Sequence, residues 1–198
     1  MTSIEKFIEE KLKLKVNQSK SAVDSPTRRK FLGFSFYYAK GGIMVKIHCK
    51  SLERIKVKVK SYTKRSNGLS TEERISKLSS LINGWVNYFK IADMRKHCLK
   101  MDECMRRRLR MCIWKKWKKI KCRRDNLVRL GINNFKAWEY ANTRRGYSRI
   151  SNSSILNCSL TNLHFKDLGL LGFTEVYNIA LKSTNRRMPN GTYGVRGQ

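Results

Sequence analysis

Acids are scarce in this chain. Its 198 residues hold 14 Asp and Glu against 44 Lys and Arg, giving a formal net charge of +30 and a pI near 10.4. Most cations therefore have no carboxylate to pair with, which excludes a surface of balanced ion pairs and favours a polyanionic partner. The few acids are also scattered. Asp24, Asp93, Asp102, Asp125 and Asp167 form no Asp-Asp or Asp-x-Asp pair of the kind that holds divalent metal in polymerases and nucleases. Asp102-Glu103 is the only adjacent acid pair containing Asp, and amid lysine and arginine it reads as solvated charge balance. None of the six cysteines forms a Cys-x-x-Cys pair and the three histidines are scattered, so spacing argues against structural zinc. No run of about 18 apolar residues exists, which excludes a helical membrane span. The amphipathic N-terminus carries Glu5, Glu9 and Glu10 and lacks the apolar run of a signal peptide. A cytoplasmic protein with reduced, mostly buried thiols is the reading. Phosphate-binding Gly-x-x-x-x-Gly-Lys loops and Gly-x-Ser-x-Gly elbows are missing too. No cofactor or metal is expected.

What is present is concentrated cation. Between Arg106 and Arg124 eleven residues are Lys or Arg, none is acidic, and Trp114 and Trp117 sit mid-run. Such a stretch cannot be buried unpaired, because each charge would lose its hydration at a cost of several kcal/mol. It must face water or a polyanion, while the tryptophans give it an apolar side to fold on. Arg144-Arg145-Gly146-Tyr147-Ser148-Arg149 is a second candidate. Guanidinium forks bind phosphate bidentately, and a tyrosine can stack on a base. The four tryptophans, Trp85, Trp114, Trp117 and Trp138, read as core.

Periodicity predicts a helix over 4–15, ending where Leu12, Leu14 and Val16 begin a strand-like alternation. Strands are expected over 31–38 and 43–47 around Gly41-Gly42, a hairpin turn signal. Residues 52–62 fit either period; the stripe Leu52, Ile55, Val59, Tyr62 favours a helix, with Ser51 as its cap. Ser70-Thr71-Glu72-Glu73 starts the next helix. Gly84 within it suggests a close helix crossing. A long helix over 98–119 puts Met101, Met105, Leu109, Cys112, Ile113 and Trp117 on one side and Arg107, Arg108, Arg110, Lys115 and Lys118 on the other. Shorter helices follow over 123–130, 135–142, 154–160, 163–168 and 174–182, then a tail expected to be mobile. The fold class is mainly α, with a small N-terminal αββ piece before an all-helical basic body.

Several of these segments together carry a resemblance. Ile4-x-x-Phe7-Ile8-Glu9-x-x-Leu12-x-Leu14-x-Val16-Asn17, Lys30-Phe31-Leu32-Gly33-Phe34-Ser35-Phe36, Gly84-Trp85-x-x-Tyr88-Phe89, Leu109-Arg110, Trp114-Lys115-x-Trp117-Lys118, Ala141-Asn142-Thr143-Arg144-Arg145-Gly146-Tyr147 and Ile155-Leu156-Asn157 with Leu160-Thr161-Asn162 stand in order. In these the chain resembles the C-terminal part of bacterial group II intron-encoded reverse transcriptase–maturases, from about Ile4 to Gly197. The resemblance implies a palm remnant over 1–48, a maturase thumb (domain X) over 49–183 and a basic tail over 184–198. It makes Leu32, Gly33 and Phe34 a primer-grip-like hairpin. It implies phosphate or sugar contacts on RNA from Arg106, Arg107, Arg110, Lys115, Lys118, Arg144, Arg145 and Arg149, with Tyr147 alongside. Ser148 and Cys158 depart from the aromatic and arginine that relatives often carry there. The Tyr-x-Asp-Asp turn, which holds catalytic magnesium in that family, would fall just upstream of Met1. The His-Asn-His endonuclease of many relatives is absent.

Three readings stay open on this basis. The first is an RNA-binding maturase fragment, not an enzyme by itself, that stabilises folded group II intron RNA for splicing in the bacterial cytoplasm. DNA or an RNA/DNA duplex offers the same phosphates. The second is the thumb half of a split RNA-directed DNA polymerase, needing Mg2+ and a separate fingers–palm chain. The third is a decayed remnant whose Phe31, Leu32, Phe34 and Phe36 lie exposed and invite aggregation.

Overall fold

The computed structural model describes residues 2–17, 21, 24–39 and 41–186. It is mainly helical, with ten helices and one two-stranded antiparallel sheet among the described residues. An amphipathic helix α1 (Thr2–Leu12) comes first, then β1 (Phe34–Ala39) and β2 (Gly42–Ile47). Helices α2 (Cys49–Tyr62), α3 (Thr71–Phe89) and α4 (Arg95–Lys116) form the body. Helices α5 (Ile120–Arg129), α6 (Asn134–Ala141), α7 (Tyr147–Ile150), α8 (Ser154–Ser159), α9 (Asn162–Asp167) and α10 (Phe173–Arg186) follow. The sequence reading missed the one-turn α7. The strand-like alternation over 12–17 forms no strand. The tail from residue 187 onward lies outside the described residues.

The long helices α3 and α4 bury apolar stripes of helical spacing. Leu78, Ile82 and Val86 of α3, with Cys98, Met105 and Leu109 of α4, are at most 1% exposed. Each fully buried aliphatic side chain contributes about 1.5–3 kcal/mol. Helix α10 packs on both α3 and α4, and Tyr177 fixes it by donating to the Ala92 carbonyl (3.1 Å). Ser70 and Glu73 close a reciprocal capping box at the start of α3. Helix α4 ends at Lys116, short of the expected 119. The Arg123 guanidinium lies 4.9 Å from the Trp114 ring centroid, and its Nε donates to the Trp117 carbonyl (2.8 Å), locking the corner into α5.

Other expectations are corrected. His48, not Ser51, caps α2, and Ser51 Oγ instead donates to the Gly33 carbonyl (3.0 Å). A Cβ at Gly84 would meet nothing within 4 Å, so no helix crosses closely there. Strand β1 begins at Phe34 rather than Phe31, because Leu32 (φ 49) and Gly33 (φ 88) turn the chain through the left-handed region. The hairpin is not a naked remnant. Phe34 is buried against Tyr88 and Phe89, Ile47 is 4% exposed, and both join the same core as α3 and α4. Phe36 is half-buried. Only Phe31 and Leu32 of the four stay exposed, as do Ile4, Phe7 and Leu12 of α1.

Candidate nucleic-acid interface

The basic run lies along α4 and into α5, so a helical repeat of about 100° per residue distributes its cations around the axis. None of the α4 cations forms an ion pair with an acid; the described ion pairs are Lys6–Glu10, Arg29–Asp24, Arg124–Asp125 and Lys166–Glu175. Several instead bind backbone carbonyls, two of them, Arg108 and Lys115, at the C-terminal end of α2 and the residues just past it. Arg108 donates from Nε to Thr63 Oγ1 (2.7 Å) and from Nη2 to the Lys60 carbonyl (3.2 Å). Lys115 Nζ donates to the Arg65 carbonyl (3.0 Å). Arg74 of α3, only 6% exposed, donates from Nη1 to the carbonyls of Tyr62 (2.7 Å) and Lys64 (3.0 Å). The last carbonyls of a helix have no intrahelical partner and carry the negative end of its dipole. They take the place of the missing acids. Sequence reasoning missed Arg74, since a carbonyl acceptor leaves no residue-type signature.

Helix α4 also faces the segment that runs from α7 to α9. An open groove of about 660 Å3 reaches from Lys60 of α2 across Arg106, Arg107, Arg108 and Arg110, with one acid, Glu103, among them, to Asn152, Asn157 and Asn162 of the α7–α9 segment. Among the described residues Arg106 and Arg107 make no ion pair and no side-chain hydrogen bond, and Arg107 is exposed. Arg110 is half-buried and spans the groove floor, its Nε donating to the Leu160 carbonyl (3.1 Å). Burial, then the neighbouring Arg106 charge, pull its pKa below the ordinary arginine value. Repulsion of that kind is what a bound phosphate relieves.

A second basic groove, of about 610 Å3, holds Arg65, Lys115, Lys116 and Lys118 beside the start of α3. Arg65 lies 5.1 Å from the Tyr147 ring centroid, and so joins this groove to the 144–149 segment. Tyr147 is half-buried and packs on the core, with one ring face covered by Arg65. Arg144, Arg145 and Arg149 are exposed, with no side-chain partner. A third opening, of about 1010 Å3, lies between the turn that precedes β1 and α2–α3. It is lined by Leu32, Gly33, Trp85 and Tyr88 together with Lys30, Lys50, Arg54 and Lys58 and one acid, Glu53. Phe34 packs beneath it. Gly33 has no room for a side chain, since a Cβ would sit 3.1 Å from Phe89 Cζ and from Ser51 Oγ.

Two other residues, Asp102 and Trp138, differ from their expected roles. Asp102 is not a solvated charge but 2% exposed, accepting from the backbone N–H of Phe173 (2.7 Å) and Thr174 (3.0 Å). It caps α10 from a helix seventy residues away, satisfying orphan donors at a dipole's positive end. Burial first, and then the Asp102 charge, push the Cys98 thiol up to about 12, which leaves it an inert packing group. Trp138 remains 42% exposed, with the Arg124 guanidinium 5.1 Å from its ring centroid, unlike the buried Trp114 and Trp117.

Among the described residues no three His, Cys, Asp or Glu side chains gather as a metal site, and no helix is long and apolar enough to cross a membrane. Residues 52–131 match the family model described as the group II intron, maturase-specific domain. The match spans nearly all of α2, then α3, α4 and α5, and so contains most of the cationic surface. No curated protein matches the chain.

Proposed function

From the group II intron maturase-specific domain at residues 52–131, we propose that this chain holds folded intron RNA in its splicing-competent form. It acts by binding rather than by catalysis, in the cytoplasm with its RNA. Residues 49–183 are the binding body, 1–48 a palm remnant docked on it and 184–198 a basic tail. The observation that carries this reading is the pair of cationic grooves along α4, in which one acid each, Glu73 and Glu103, stands among five or more Lys and Arg and forms no ion pair among the described residues. Folded RNA crowds phosphates from several helices together, and two cationic grooves along one helix can bridge them. Arg106, Arg107, Lys118, Arg144, Arg145 and Arg149 are the direct phosphate contacts in this proposal. Arg110 and Lys115 serve twice, bracing the body while presenting their remaining N–H donors. Tyr147 supports Arg65 rather than stacking on a base. The test is backbone footprinting of a folded group II intron RNA with and without the full chain. Protection of discrete backbone positions is expected. Protection no different from that of an unrelated structured RNA of equal length would overturn it.

A second reading has its own observation. The 1010 Å3 opening beside Leu32 and Gly33, together with the exposed apolar residues of α1, suits a thumb half that completes a separate fingers–palm chain. DNA synthesis on an RNA template when the two halves are mixed with Mg2+ would support it. Absence of cDNA from a correctly assembled pair would remove it.

A further inference from the structure

We propose that the asparagine wall facing the α4 arginines makes this groove selective for RNA over DNA, by hydrogen-bonding ribose 2′-hydroxyls. The proposal rests on the RNA-binding reading and deepens it. Arginines supply donors only, and phosphate is common to both polymers, so Arg106 and Arg107 cannot distinguish them. A side-chain amide both donates and accepts, as a 2′-hydroxyl does. Deoxyribose offers a C–H there and leaves the amide unanswered.

The placement of these amides supports the assignment. Asn152 lies after α7, Asn157 on α8 and Asn162 at the start of α9, yet all three line one groove with the arginines. All are exposed, and none of their side chains bonds to another described residue. Asn83, Asn134 and Asn178 are equally unspent among the described residues but line none of the three grooves, and other asparagines are spent on the chain itself. Asn67 donates to the Ser61 and Tyr62 carbonyls, Asn126 to Cys122 and Asn142 to Trp138. The wall is also held still. Ser153 and Thr161 cap the helices that carry Asn157 and Asn162, Leu156 beside Asn157 is fully buried, and the Arg110–Leu160 bond ties the wall to α4. Unspent amides on a fixed backbone, a groove's width from free guanidinium groups, fit a sugar–phosphate strand whose sugars face one wall and whose phosphates face the other.

The test is competition for the full chain between a folded group II intron RNA and single-stranded DNA of the same sequence, at fixed salt. The unaltered chain should prefer RNA. In the triple variant N152A/N157A/N162A that preference should fall at least about threefold, the loss expected for even one neutral hydrogen bond, with the salt dependence unchanged. In R106A/R107A both polymers should weaken alike and the preference should stay. An unchanged RNA-to-DNA ratio in the folded triple variant overturns the proposal while leaving RNA binding intact. No binding of either polymer by the unaltered chain overturns the reading beneath it. A measurement that needs no variant is interference mapping with 2′-deoxy-substituted intron RNA. Discrete positions of weakened binding are expected, and none would overturn the proposal.

Discussion

The two flanks of α4 carry the same residue types and put them to different uses. Toward the end of α2, Arg108 and Lys115 are joined by Arg74 from α3, and all three are tied to backbone carbonyls. Toward α7–α9, Arg110 is tied to the Leu160 carbonyl, while Arg106 and Arg107 have no side-chain partner among the described residues. With 44 cations and 14 acids, the fold cannot be cross-linked mainly by salt bridges. It uses the carbonyls at and just past the end of α2 as counter-charge instead, and leaves only part of its cations without a partner of their own among the described residues. Net charge therefore overstates the binding surface, and position decides which cations brace the body and which face outward.

The comparison is broken hardest at Arg74. Replacing it with Met should cost about 3 kcal/mol, because the Tyr62 and Lys64 carbonyls lose a buried charged donor. Thermal unfolding should show a midpoint lower by roughly 6–12 °C, with the RNA affinity of the folded fraction kept. A midpoint within a degree of the parent would mean that the carbonyl cluster does not brace the body. Asp102→Ala should come next, at about 2 kcal/mol, through loss of the two N–H partners it gives α10. Its denaturation curve reports this directly, and no change would return Asp102 to the role of a surface acid. On the outward flank, the R106A/R107A chain should keep its midpoint and lose on the order of tenfold in RNA affinity at moderate salt. Filter binding and calorimetry on the same sample separate the two effects. Ser70→Ala is the smallest, about 1 kcal/mol from one arm of the capping box, with no change in RNA binding.

Local signals in the sequence transmitted well. The capping box at Ser70, the turn glycines of the hairpin and the apolar stripe of α4 each involve residues within a few positions of one another. The structure has the mainly helical architecture they implied. What was not legible depends on distant partners. Asp102 reads as one acid in a basic helix until Phe173 arrives beside it, and Gly84 reads as a crossing point until it proves to face open space. Arg74 was invisible for a different reason: every residue carries a carbonyl, so an arginine that binds carbonyls leaves no pairing pattern. The charged run at 106–124 marked where the cations concentrate, but not their division into bracing and free ones. The asparagine wall had no sequence signal beyond the motifs that contain Asn157 and Asn162.

The central claim is that unneutralised cations along α4 hold a folded polynucleotide by its phosphates. Binding of the unaltered chain to folded intron RNA, measured across a salt series, tests it most directly. If about five to eight phosphates are engaged, log K should fall against log salt with a slope of roughly −4 to −7. A flat response would show that the α4 charges contribute nothing to binding, and would contradict the account.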